Sequence, residues 1–213
     1  DNRTGYMDER AMLRPFTHHG RRCPCRCSGK STVKHSLITA RKIGILDVNI
    51  RIVYDNEPLR EGLKSGWGFS CLIESERTIL FDTGWDGAIL LYNMKVLGIE
   101  PDKIDAVVLS HSHWDHIGGL PTLLDLNERL QVYAPQSFSN HLKSEIAKRA
   151  DLIEVSESEK LFGAIYTTGE LGTEIKEQAL ILKGKEGSFI ITGCAHPGLK
   201  LSLIHISEPT RPY

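Results

Sequence analysis

No stretch of this chain approaches the ~18 consecutive apolar residues that a membrane-spanning helix needs, so nothing in it reads as a bilayer span. Its start lacks the apolar core and small-residue cleavage site of a secretory signal. It also lacks a charge excess of either sign: 26 Lys and Arg face 27 Asp and Glu, for a formal net charge of −1. A near-neutral chain offers a nucleic-acid backbone little to hold. What remains is ordinary for a soluble globular protein, with 40% hydrophobic and 25% charged residues. At 213 residues the chain suggests one domain with appendages. Such a length buries roughly 70% of the unfolded surface, so no disulfide or metal is needed merely to hold a core.

The neutrality is a sum of unlike pieces. Residues 1–47 carry 10 basic and 4 acidic side chains, a balance of +6, whereas residues 48–200 carry 15 and 22, a balance of −7. The leader, 1–47, is rich in Arg, His, Gly, Ser and Thr and has no sustained apolar period, so it is expected to be disordered or foreign to the domain. Its Cys23-Pro24-Cys25-Arg26-Cys27 run sets three thiols among arginines that would lower their pKa values, a pattern able to bind a soft metal. A closed zinc site needs four ligands, however, and His18, His19 and His35 stand at no interval that completes one.

From residue 48 the chain alternates strand and helix patterns. Strands are expected at Asn49–Asp55, Gly68–Ser75, Thr78–Asp82, Ile104–Leu109, Leu130–Ala134 and Leu152–Val155. Ile104–Leu109 is nearly all apolar, as in a strand covered on both faces. Helices are expected over Ala88–Leu97, stopped by Gly98, and over Ser137–Ala150. Gln178–Lys183 and Ser188–Thr192 flank a Gly184-Lys185-Glu186-Gly187 turn and read as a hairpin. Together these predict an α/β domain with a mixed sheet and long strand-end loops.

Chemistry concentrates where the buried strand ends, in Ser110-His111-Ser112-His113-Trp114-Asp115-His116-Ile117-Gly118-Gly119. His111 and His113, two apart in an extended loop, project to one side and can share a metal ion. Asp115 and His116 follow where the chain turns and add an oxygen and a nitrogen for a neighbouring ion. Packed without a cation, such groups would cost roughly 1–3 kcal/mol each as buried unpaired polar atoms. Two further strand ends carry candidates: Asp82 in Phe81-Asp82-Thr83-Gly84, and His196 in Thr192-Gly193-Cys194-Ala195-His196-Pro197-Gly198. Alone, an Asp before a glycine turn is usually a turn former. Cys71 and Cys194 lie in expected strands and read most simply as small buried hydrophobes, although Cys194, two residues before His196, could face the metal. Unpaired thiols beside histidine ligands suit a reducing cytoplasm.

His111–His116 resembles the His-x-His-x-Asp-His signature of the metallo-beta-lactamase superfamily, with Asp82 and His196 matching its preceding and following motifs in chain order. Gly68-Phe69-Ser70, Leu97-Gly98-Ile99, Thr168-Gly169-Glu170 and Glu177-Gln178-Ala179-Leu180 further resemble the dihydropterin–ribofuranosylaminobenzene phosphate synthase-like subfamily. The likeness covers about Asn49 to Lys200. It implies a four-layer αββα sandwich with a one- or two-metal site at one sheet edge. By position, His111, His113 and His196 would hold the first metal. Asp115 and His116 would serve the second, and Asp82 would be a ligand or an orienting group. Family members use zinc most often, with iron and manganese also found.

The resemblance also sets the functional expectations. A divalent metal acidifies water enough for attack at neutral pH, with Asp115 orienting it and taking its proton, which is hydrolase chemistry on a small-molecule substrate. The subfamily implies instead a transferase joining a dihydropterin to a ribofuranosylaminobenzene phosphate in methanopterin-type cofactor synthesis, hence a phosphorylated or pterin-like substrate. The acidic body argues against a nucleic-acid partner. A third expectation is an inactive fragment, incomplete at the C-terminus, because the superfamily pattern continues to a late histidine while this sequence runs 17 residues past His196. Leu201–Arg211 resembles a translated transposon-based sequencing adapter, so residues 201–213 are expected to be foreign and His205 is given no role.

Overall fold

In a computed structural model, residues 48–198 are described, except 59, 185 and 186. The expectations for the leader, its Cys23–Cys27 thiols and the tail 201–213 lie outside the described residues.

Two sheets face each other. The first has six strands in chain order, β1 (Asn49–Tyr54), β2 (Ser70–Glu74), β3 (Thr78–Phe81), β4 (Ala106–Val108), β5 (Gln131–Pro135) and β6 (Asp151–Val155). β1, β2 and β3 pair antiparallel, and β3 through β6 pair parallel. The parallel half needs crossovers, and helices supply them. α1 (Gly87–Leu97) joins β3 to β4, α2 (Trp114–Ile117) and α3 (Leu120–Leu124) join β4 to β5, and α4 (Asn140–Ala147) joins β5 to β6. The second sheet, in spatial order β10-β9-β8-β7, is antiparallel throughout: β7 (Glu159–Phe162), β8 (Ile165–Thr167), β9 (Leu180–Lys183) and β10 (Ser188–Ile191).

The sheets bury one core between them, with Cys71, Ile73, Phe81 and Val108 from the first meeting Ile165, Leu180 and Leu182 from the second. β4 is buried along its whole length, as its unbroken apolar run predicts. α1 begins at Asp86, whose carboxylate accepts the N–H groups of Ala88 and Ile89 at 2.7 and 3.2 Å, and ends at Gly98. It packs on β1 and α3, and α4 packs on β6, giving an α/β/β arrangement of the described residues. Between β6 and β10 there is no helix among the described residues. None of the described helices is long and apolar enough to cross a membrane.

Each expected strand and helix is present, with ends shifted by up to three residues. The helix expected over Ser137–Ala150 runs only Asn140–Ala147, because the Ser139 hydroxyl accepts the Leu142 N–H at 3.2 Å and caps it there. The β7–β8 hairpin was not anticipated. Glu159 and Lys160 break its apolar alternation, and its pairing with β9 supplies what the local pattern lacks.

Candidate metal centre

Loops leaving the carboxyl ends of β3 and β4, where parallel α/β sheets place their ligands, meet the loop leaving β10 of the second sheet. His111, His113 and His196 come together there, with one ring nitrogen from each lying within 4.8 Å of the others. The ring centroids are 4.6 to 4.8 Å apart. His111 Nε2 and His196 Nε2 stand 3.2 Å apart. A tetrahedral ion with metal–nitrogen bonds of about 2.0–2.1 Å separates its nitrogens by about 3.3 Å, so this edge fits a shared cation. The first sheet contributes two of the imidazoles and the second sheet the third.

Asp82 sits fully buried beneath the cluster. It adopts a left-handed backbone, φ 56°, which aspartate tolerates better than most residues, and its N–H is held by the Val108 carbonyl at 2.9 Å. Oδ1 accepts the Ser110 N–H, and Oδ2 accepts the Ser110 hydroxyl, both at 2.7 Å. The same Oδ2 lies 2.6 Å from His116 Nδ1. With its own proton given to Asp82, the Ser110 oxygen accepts from His111 Nδ1 at 2.9 Å. One carboxylate thus fixes two rings, one directly and one through a hydroxyl. The network assigns the Nδ1–H tautomer to His111 and turns its Nε2 lone pair toward the cluster.

The electrostatics follow from this packing. Burial, and then the neighbouring imidazoles, push His111 far below the usual histidine range, and His113 shifts the same way. Burial also works against a proton on His116, but the charge and hydrogen bond of Asp82 outweigh it and hold that ring up at about 11. His111 and His113 are therefore neutral donors beside a carboxylate-bound ring, whose Nε2 proton a cation would displace.

Asp115 lies in the first turn of α2 with its side chain 13% exposed and Oδ2 at 3.7 Å from His116 Nε2. Its carbonyl accepts the Phe69 N–H at 3.3 Å. That contact demands Gly68, since a Cβ there would stand 1.9 Å from the Asp115 oxygen and the backbone φ is +120°. Gly193, on the second-sheet side, is required for a similar reason. A Cβ would come within 2.4 Å of the Ser110 hydroxyl.

Cys194 departs from the simplest reading of the sequence. Cys71 is buried in β2 as expected, but Cys194 is exposed, because β10 ends at Ile191 and the chain turns into the site. Its sulfur lies 3.1 Å from His116 Nε2.

Two residues in Glu177-Gln178 play parts that their sequence position alone does not reveal. Glu177 is buried, and its two carboxylate oxygens accept the Ala195 and His196 N–H groups at 3.0 and 2.9 Å. Gln178, also buried, donates from Nε2 to the Leu109 carbonyl at 2.8 Å and accepts from Thr167 Oγ1 at 2.7 Å, while its N–H reaches the Ser110 carbonyl at 2.9 Å. Together they tie the second sheet to the end of β4. The available signal was a buried-type polar pair directly before the apolar β9 run.

Residues 68–205 match the metallo-beta-lactamase superfamily, a span that includes every residue of the cluster. The chain is 30% identical over 182 residues to the 7,8-dihydropterin-6-methyl-4-(beta-D-ribofuranosyl)-aminobenzene-5'-phosphate synthase of Methanocaldococcus jannaschii, covering 62% of each protein. It is 27% identical over 159 residues to ribonuclease Z of Pediococcus pentosaceus, covering 66% of this chain and 48% of that protein. These matches span less than two thirds of either relative. Among solved structures, the metallo-beta-lactamase fold protein YhfI from Bacillus subtilis aligns with a TM-score of 0.51 at 18% identity, covering 67% of this chain and 60% of that one. That likeness is one of fold.

Proposed function

This chain belongs to the metallo-beta-lactamase superfamily, and from that premise we propose that it is a metal-dependent enzyme of hydrolase type acting on a small-molecule substrate. The observation that carries the proposal is the 3.2 Å approach of His111 Nε2 to His196 Nε2, from opposite sheets, with His113 beside them. His111, His113 and His196 would hold one divalent ion, with zinc suiting the imidazole set and iron or manganese also compatible. Asp115 and His116 would serve a second. A bound divalent ion supplies acidified water and polarises a carbonyl or phosphoryl oxygen.

The chain's own groups do the rest. Asp82 acts as a positioning residue, since both of its oxygens are occupied by Ser110 and His116 and it has no exposure to substrate. Asp115 is the partly exposed carboxylate of the cluster. Its Oδ2 takes the proton of the attacking water as the new bond to the acyl or phosphoryl centre forms, and returns it to the leaving oxygen as the old bond breaks.

A second reading has its own support. The likeness to the Methanocaldococcus jannaschii synthase favours transfer chemistry, in which the ions that His111, His113, His196, Asp115 and His116 would hold would supply positive charge for a diphosphate leaving group, with no attack by water. Incubation of the metal-loaded protein with a dihydropterin diphosphate, with and without the ribofuranosylaminobenzene phosphate, separates the two. Diphosphate release that needs the aminobenzene partner supports transfer, whereas release without it supports hydrolysis. Stoichiometric metal retained by both His111→Ala and His113→Ala would sink the metal assignment itself.

A further inference from the structure

We propose that a cavity where the parallel strands of the first sheet begin binds a zwitterionic small molecule of the short-peptide type. The cavity measures about 440 Å³, a size usual for small-molecule sites. Its walls come from the turn before β3 and from the segments that enter β4, β5 and β6. These are the strand ends opposite those that carry Asp82 and Ser110. Six charged side chains line it, three of each sign: Arg77, Lys103 and Arg129 with Asp102, Asp105 and Asp151. Opposite charges sharing a cavity wall attract, yet among the described residues only Lys103 and Asp102 pair, at 4.0 Å. The remaining four are held apart. A simple anion entering the cavity would meet three carboxylates, and a simple cation would meet three basic groups. A molecule with an ammonium at one end and a carboxylate at the other satisfies both sets through charge-assisted hydrogen bonds.

Several contacts fix these groups in advance, which lowers the ordering cost of binding. Asp105 Oδ2 accepts the Thr78 N–H at 2.7 Å, and Asp151 Oδ2 accepts from Gln131 Nε2 at 3.3 Å. Oδ1 of each is left without a partner among the described residues. The Arg77 guanidinium lies 5.0 Å from the centre of the Phe162 ring, a cation–π contact that steadies it without neutralising it. Arg129 is held at its backbone, where its N–H meets Asn127 Oδ1 at 3.1 Å. The buried Asn127 amide also donates to the Pro101 and Ile104 carbonyls at 3.1 and 2.8 Å, locking the segments that enter β4 and β5 together. Nothing in this recognition requires the metal centre.

Titration calorimetry of the full chain with trialanine, N-acetyl-trialanine and trialanine amide tests this, because the three peptides differ only at their charged ends. Trialanine is expected to bind at one site per chain. Each capped peptide should bind at least about tenfold more weakly, the loss of one charge-assisted contact. Arg129→Gln and Asp151→Asn should each weaken trialanine binding about tenfold as well, with metal content unchanged. Both side chains are exposed, so neither substitution removes core packing. Repeating the titration after chelation separates this cavity from the histidine cluster, and binding is expected to survive. Binding lost on chelation would place the peptide at the metal centre and overturn the proposal. So would equal affinity for all three peptides, no binding of trialanine, or an affinity that both variants leave unchanged.

Discussion

The two walls of the candidate metal centre are built on opposite principles. The first-sheet wall, from β3 and β4, is sealed: Asp82, Ser110 and His111 have no solvent exposure, and His116 has almost none. Asp82 there commits both carboxylate oxygens, to Ser110 and to His116. The second-sheet wall is a half-exposed loop after β10, carrying Cys194 and His196, and its backbone is held by one carboxylate, Glu177. The difference teaches where precision resides. The sealed wall fixes the ring tautomers, and the loop wall brings the remaining donors to meet them.

The sharpest way to break the comparison is to remove a donor from the sealed wall. His111→Ala takes away the ring common to both donor groups, and metal content measured by atomic emission should fall to background. Asp82→Asn comes next. It leaves Ser110 and His116 facing an amide, should cost about 3–5 kcal/mol of stability in denaturant titrations because a buried pair loses its charge, and should weaken metal binding roughly 10- to 100-fold.

On the loop wall the effect should be smaller and more local. Glu177→Gln replaces one acceptor with a donor opposite a backbone N–H. Chelator competition should show about tenfold weaker metal binding, with the far-ultraviolet circular dichroism unchanged. An equal loss of secondary structure would make Glu177 a folding residue and erase the contrast between the walls.

The smallest test reports only on the seal of the first sheet. Burial pushes the Tyr54 hydroxyl up to about 12. An unfolded tyrosine ionises near 10, so the stability tied to this group is fully present below pH 10 and is lost as pH rises through about 12. The denaturation midpoint of the wild type should fall over that window, and Tyr54→Phe should flatten the fall.

Much of this was legible in the sequence because it is local. Ile104–Leu109 announced a strand buried on both faces, and the spacing of His111 and His113 placed two donors on one side of the loop that follows it. The β7–β8 hairpin was not legible, since Glu159 and Lys160 carry no alternation and their strand exists by pairing with β8 and, through it, β9. Glu177 showed no mark of its task either, because its partners lie 18 and 19 residues onward across a hairpin.

The sequence by itself determined where the candidate donors cluster: three histidines and an aspartate fall within six residues at the end of a buried strand. Only the tertiary structure decided which side chains meet at that strand end. Cys194 meets His116 across 78 residues of chain, and Asp82 meets it across 34. Such contacts are fixed by how two sheets pack over a shared core, a sum of many weak apolar interactions that no short stretch of sequence records.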